Sequence, residues 1–196
     1  WTSNAAATDI DGLSDSKSEG TDFTGSLLLG HQTTGSLDAA TYNTGVGLTA
    51  LDALTTGDQN TAVGYAALTS NTTGTRNTAY GYDALYTNGA GAANVGIGFQ
   101  SLRSNTNGGS NIAIGFASFY SNTTSYYNTA IGASSLQDAN RTADSDGYNT
   151  ALGSFSGNTG TNDITTGNKN PLLGANTAAS PAAGTNQSVI GYGASS

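Results

Sequence analysis

The 196-residue chain carries 13 acidic and 5 basic side chains, a net charge of −8, and no cysteine. Disulfides and thiolate metal sites are therefore excluded, singly scattered basic residues form no phosphate-binding stripe for nucleic acid, and no apolar run approaches the roughly 18–20 residues of a membrane-inserted span. Val, Ile, Leu and Phe number only 31, yet charged residues are just 9% of the chain, so self-repulsion does not hold it open. A chain so rich in Gly, Ala, Ser, Thr and Asn is either low-complexity coil or a repeat ordered by backbone ladders.

Residues 1–25 form an acidic lead-in. The chain opens on Trp1 rather than Met, as a processed or excised piece would. Asp9, Asp11, Asp15, Glu19 and Asp22 cluster here, but without the Gly and terminal Glu of an EF-hand, so the segment reads as a solvated linker rather than a calcium site.

From residue 26 to 196 the chain repeats. The pentad Asn-Thr-Ala-(Val/Ile/Leu)-Gly returns with its Gly at 30, 47, 64, 81, 98, 115, 132, 153, 174 and 191, in steps of 17 broken only by two of 21. Coils accordingly start near 26, 43, 60, 77, 94, 111, 128, 149, 170 and 187. Before the marker Gly stands an all-apolar column, from Leu29, Val46 and Val63 to Leu173 and Ile190, which is expected to face inward. Three residues after it every side chain is small, from Thr33 and Ala50 to Thr177 and Ala194, which implies crowding by neighbouring backbone. Leu51, Leu68, Leu85, Leu102, Phe119 and Leu136 follow as a second apolar column. Asn43, Asn60, Asn77, Asn94, Asn111, Asn128, Asn149 and Asn170 repeat in register, so their amides are expected to hydrogen-bond along the stack. Turns are expected at Gly57, Gly74, Gly91 and Gly108, within stretches such as Asn71-Thr72-Thr73-Gly74. The longer steps call for extra loops near Ala143–Tyr148 and Asp163–Lys169.

Seventeen residues are too few for a helix-pair repeat of roughly 33 or more. The period predicts an all-β parallel β-solenoid (β-roll) of about ten coils, each with two short strands and two turns, making a rod on the order of 50 Å long. Each coil offers about two large apolar side chains, a thin return against ~1–2 kcal/mol of backbone ordering per residue. Either the backbone ladders suffice for such narrow coils, or a second apolar face is buried between copies. The second is expected, because one apolar column or the aromatics just after the marker Gly (Tyr65, Tyr82, Phe99, Phe116) would otherwise stay exposed, and a parallel homotrimer is its natural geometry.

Single residues add little chemistry. His31, the one histidine, takes the slot after a marker Gly and reads as structural. Asp144 and Asp146 in the first insertion repeat the calcium question weakly. Gly96 and Gly98 belong to the repeat and not to a dinucleotide loop, and the sequons at Asn71, Asn122, Asn140 and Asn186 follow from composition. No catalytic constellation, cofactor site or metal site emerges, so an enzyme is not expected. Thr44, Thr61, Thr78, Thr129 and Thr150 align as in ice-binding solenoids, but Val95, Ile112 and Pro171 interrupt them. Tyr120, Tyr126 and Tyr127, with Tyr86 two coils earlier, are candidates for a glycan-stacking surface.

Asn60-Thr61-Ala62-Val63-Gly64-Tyr65-Ala66-Ala67-Leu68 and Asn128-Thr129-Ala130-Ile131-Gly132 resemble the repeats of tail-fibre proteins of marine, cyanophage-type phages. They are more distantly similar to the YadA-type heads of trimeric autotransporter adhesins, whose coils are usually nearer 14 residues. Leu13-Ser14-Asp15-Ser16-Lys17 resembles the lead-in to such repeats, and Gln187-Ser188-Val189-Ile190-Gly191-Tyr192-Gly193-Ala194 a last coil before further fibre. The resemblance implies a structural segment of a trimeric virion tail fibre that supports host attachment. Its partners would be its own copies, adjacent fibre segments, and a host-surface glycan or protein. A bacterial cell-surface adhesin or extracellular filament subunit is the alternative; an ice-binding solenoid is a more remote one.

Overall fold

The structure, a computed structural model, describes residues 16–18, 26–29, 40–139, 147–160, 164–179 and 184–195. His31, the acidic residues 9–15, 19 and 22, Asn140, Asp144 and Asp146 lie outside them.

Each coil places one short strand in a single sheet. In chain order these are β1 (Ser16–Ser18), β2 (Leu27–Leu29), β3 (Thr44–Val46), β4 (Thr61–Val63), β5 (Thr78–Tyr80), β6 (Val95–Ile97), β7 (Ile112–Ile114), β8 (Thr129–Ile131), β9 (Thr150–Leu152), β10 (Pro171–Leu173) and β11 (Val189–Ile190). From β2 onward all ten are parallel, and spatial order equals sequence order. The pairing never slips: Thr44 lies opposite Thr61, and the 21-residue steps still set Thr129 opposite Thr150 and Thr150 opposite Pro171. The chain is thus a parallel β-solenoid with a 17-residue period. β1, inside the segment expected to be only a lead-in, pairs antiparallel with β2. It occupies the sheet edge that β2 would otherwise leave open.

Two features of the coil differ from expectation. Among the described residues each coil forms one strand, not two. The rest of the coil alternates between ordinary and left-handed backbone, with φ of 53° at both Ala66 and Leu68. This alternation keeps the amides pointing along the stack without an extended conformation. Ala66 N–H donates back to Leu48 O (2.9 Å), and Leu68 N–H donates forward to Ala84 O (3.0 Å). The second insertion also moves: Ile164, 1% exposed, fills an interior slot six residues ahead of Asn170, as Asn71 does ahead of Asn77. The extra residues therefore precede Ile164 instead of following it. The first insertion falls between Ala139 and Gly147.

The lumen is narrow and filled by side chains. Leu51, Leu68, Leu85, Leu102, Phe119 and Leu136 fill it, and the small column from Ala50 to Thr177 lies beside them, fully buried. Opposite, only the middle residue of each strand points in, and it is Gly or Ala from β3 to β9. A Cβ at Gly96 would already lie 3.2 Å from Leu85 Cγ and from Ser101 Oγ, so the leucine column sets the size limit.

Two ladders of buried amides line the lumen wall, one along nearly its whole length and one through four central coils. In the expected one, each Asn Oδ1 from Asn43 to Asn128 accepts both the backbone N–H and the Nδ2 of the Asn in the next coil, Asn60 onto Asn43 at 2.9 and 3.0 Å, and Asn149 Oδ1 accepts the backbone N–H of Asn170 at 3.2 Å. Ser26 Oγ fills the first slot, accepting from Asn43 N–H at 2.7 Å, and Gln187 N–H donates to Asn170 Oδ1 at the other end. A second ladder joins Asn71, Asn88, Asn105 and Asn122 through Nδ2 to Oδ1 bonds of 2.9, 2.6 and 2.6 Å. Both ladders share an acceptor: Gly74 O takes Asn60 Nδ2 at 2.9 Å and Asn71 Nδ2 at 3.0 Å. The amides of Asn71 and Asn122 are thus interior groups, not accessible sequons.

Candidate functional surface

Side chains alternate across a strand, so with the central Gly or Ala inward its two neighbours face out. The column expected to line the interior is therefore on the surface. Val46, Tyr80, Leu173 and Ile190 are 37, 59, 50 and 74% exposed, and Val63, Ile97, Ile114, Ile131 and Leu152 are half-buried beside them. Parity within a three-residue strand allows either the middle residue or its flanks to point inward, and the filled lumen admits only the small one. Parallel to this column runs the Thr column, also outward, with Val95, Ile112 and Pro171 interrupting Thr44, Thr61, Thr78, Thr129 and Thr150. At its C-terminal end the face holds an apolar groove of about 250 Å³ between Leu152, Pro171, Leu173 and Ile190.

Two further exposed columns border this face. After the marker Gly, Tyr65, Tyr82, Phe99 and Phe116 stack in a continuous ladder, with ring centroids 5.0, 5.3 and 5.3 Å apart. Before the ladder Asn, Tyr127 and Tyr148 stack at 5.1 Å. Rings stacked this way spend their faces on each other and leave mainly edges to solvent. Tyr65, Tyr82, Phe99 and Phe116 recur every 17 residues, so their alignment is legible in the sequence, whereas the stacking of their rings is not.

The four tyrosines singled out for glycan stacking fall into two groups. Tyr86 and Tyr120 flank Arg103, whose guanidinium carbon sits 4.8 Å and 5.9 Å from the two ring centroids. Arg103 Nε bridges to Asp83 Oδ2 at 3.1 Å, and the Asp83 side chain is only 8% exposed. Burial would lower the Arg103 pKa, but the hydrogen bond to Asp83 and the charges of Tyr120 and Asp83 outweigh it and hold the group above its ordinary value. Tyr126 and Tyr127 form the other group, with centroids 6.1 Å apart and Tyr126 Oη donating to Asn107 O at 3.0 Å. The first group is a cation clamped between rings and the second extends the Tyr127–Tyr148 stack.

Among the described residues no three His, Cys, Asp or Glu side chains gather as a metal site, and no helix is long and apolar enough to cross a membrane. No family model matches the chain, and comparison with curated proteins and with solved structures returns no match. The class defined by fold and surface is a parallel β-solenoid with one apolar, threonine-bordered sheet face and filled walls elsewhere.

Proposed function

We propose that the chain is a structural segment of a trimeric fibre, of the kind that serves in phage tail fibres to support host attachment. In this reading the sheet faces of three parallel copies close around a common axis. The outward column from Val46 to Ile190 carries the proposal. It is an unbroken apolar strip along the whole rod, and large contiguous apolar patches on soluble chains mark interaction sites. The strip also runs parallel to the stacking direction, so copies can cover it along their full length. Charged side chains are absent from the strip, so no like charges meet where the copies approach.

Ile114 lies near the middle of the strip and tests the reading. Ile114→Asp places one carboxylate per copy at the shared interface, and burying an unpaired charge costs several kcal/mol. The expected result is a dissociation constant raised by at least about 10³-fold, read as conversion to single chains in sedimentation with the β-sheet circular dichroism retained. A variant that keeps the wild-type mass contradicts the proposal.

A second reading has one specific observation in its favour: Thr44, Thr61, Thr78, Thr129 and Thr150 do face outward on the sheet. Ice binding needs that face open to water, whereas the fibre needs it covered, so the readings exclude each other. A monomeric chain with thermal hysteresis activity would select the second.

A further inference from the structure

We infer that the copies meet edge to edge and in register, so that the column before each ladder Asn on one copy packs against the column after each marker Gly on the next, coil for coil. This rests on the trimeric reading above. The two columns border the sheet face six residues apart in each coil, up to roughly 20 Å along the strand. Within one chain each stacked ladder joins rings of the same column.

Their sizes are nevertheless matched. Through six consecutive coils each pair holds one aromatic and one non-aromatic residue. Tyr65 pairs with Gln59, Tyr82 with Arg76, Phe99 with Ala93 and Phe116 with Ser110. The aromatic then changes sides, and Tyr127 pairs with Ala133 and Tyr148 with Ser154. Polarity follows the same rule: the hydroxyl-bearing Tyr65 and Tyr82 lie level with Gln59 and Arg76, which can hydrogen-bond, while the two Phe lie level with short side chains. The match lapses only toward the ends, where Tyr42 and Leu48 are both large and Lys169 and Ala175 lack a ring.

Nothing inside a single chain requires both columns to switch at one level. A gap of constant width filled from both sides does, because a ring on one wall leaves room for a small residue on the other. Rotation about an axis parallel to the rod keeps every coil at its own height and gives a heterologous contact that closes on itself. Antiparallel packing would set each coil against one from the other end and destroy the match. Three faces about 20 Å wide leave about 6 Å from each face to the axis, a space for the central column of Ile97, Ile114 and Ile131.

The absence of cysteine makes the test clean. The full chain carrying Ala93→Cys with Phe99→Cys, treated with a short bifunctional thiol crosslinker, should give covalent trimers on a denaturing gel. Ala93→Cys alone should stay at single-chain mass, as should Ala93→Cys with Ser154→Cys, displaced by three coils or roughly 14 Å. Equal crosslinking of the displaced pair, or products that stop at dimers, overturns the inference. So does a trimeric mass without same-coil product, which leaves the trimer itself standing; a monomeric mass overturns both. A second measurement covers misfolding of the cysteine variants. Ser110→Phe should weaken the trimer at least 10-fold and adding Phe116→Ser should restore it, and lack of restoration overturns the register.

Discussion

Asn94→Ala is expected to lower the free energy of unfolding by about 3–4 kcal/mol, a large loss for one amide. Asn94 Oδ1 accepts from the backbone N–H and Nδ2 of Asn111 at 3.1 and 3.2 Å, and its Nδ2 donates to Gly108 O at 2.8 Å. Asn94 is fully buried. Gly108 O keeps a second donor, Asn105 Nδ2 at 3.0 Å, but the Asn111 N–H is orphaned and a void opens beside it. An unsatisfied buried donor costs about 1–3 kcal/mol, each further lost bond about 0.5–1.5. Denaturant unfolding followed by circular dichroism checks the value, with Thr73→Ala, an exposed side chain, expected within about 0.5 kcal/mol of wild type. Equal effects at the two sites would show that the ladder does not hold the stack.

Gly98→Ala should be worse. The residue has φ of 123°, a region L side chains rarely enter, and its new Cβ would lie 2.6 Å from Gly115 O and 2.8 Å from Gly115 C. Both obstacles are backbone of the next coil, which cannot step aside without breaking the pairing of β6 with β7. A loss above about 4 kcal/mol, or failure to accumulate as soluble protein, is expected. Gly89→Ala is the matched control: its Cβ meets nothing nearer than Thr106 O at 3.9 Å, so stability should move by less than about 1 kcal/mol. Thermal melts of the two variants decide, and a wild-type melting temperature for Gly98→Ala would show that the coils are not in backbone contact there.

Much of this fold is legible in the residues because a solenoid coil touches only its neighbours. Any constraint on one coil recurs at the period, so the Asn ladder, the small column at Ala67 and the Leu68 column can be read directly. The orientation of Val63 cannot be read from hydrophobicity, which suggests burial. It follows only from the pairing of facts that Ala62 must oppose Leu68 and that the lumen has no room left. The second Asn ladder is present in the spacing of Asn71, Asn88, Asn105 and Asn122, but turn composition around them hides it. Single-strand coils are harder still, because left-handed backbone falls on Ala66, Leu68, Asp83 and Gln100, where no glycine announces it. The insertions mislead for a simpler reason: sequence alone does not say that Ile164 takes an interior slot.

For the candidate surface the outcome is similar. The thin coils raise the expectation of a second apolar face, while the exposure of the column from Val46 to Ile190 on the outward flank of the strand cannot be read from them. The tyrosines at 86, 120, 126 and 127 stand out by type, yet Arg103 between two of them gives that pair a different chemistry from an open stacking platform.

Sedimentation equilibrium of the intact chain tests the central claim most directly. A trimeric rod has a mass three times that of the 19.5 kDa chain, unchanged over a wide concentration range. A mass of one chain, with the column from Val46 to Ile190 facing water, would contradict it.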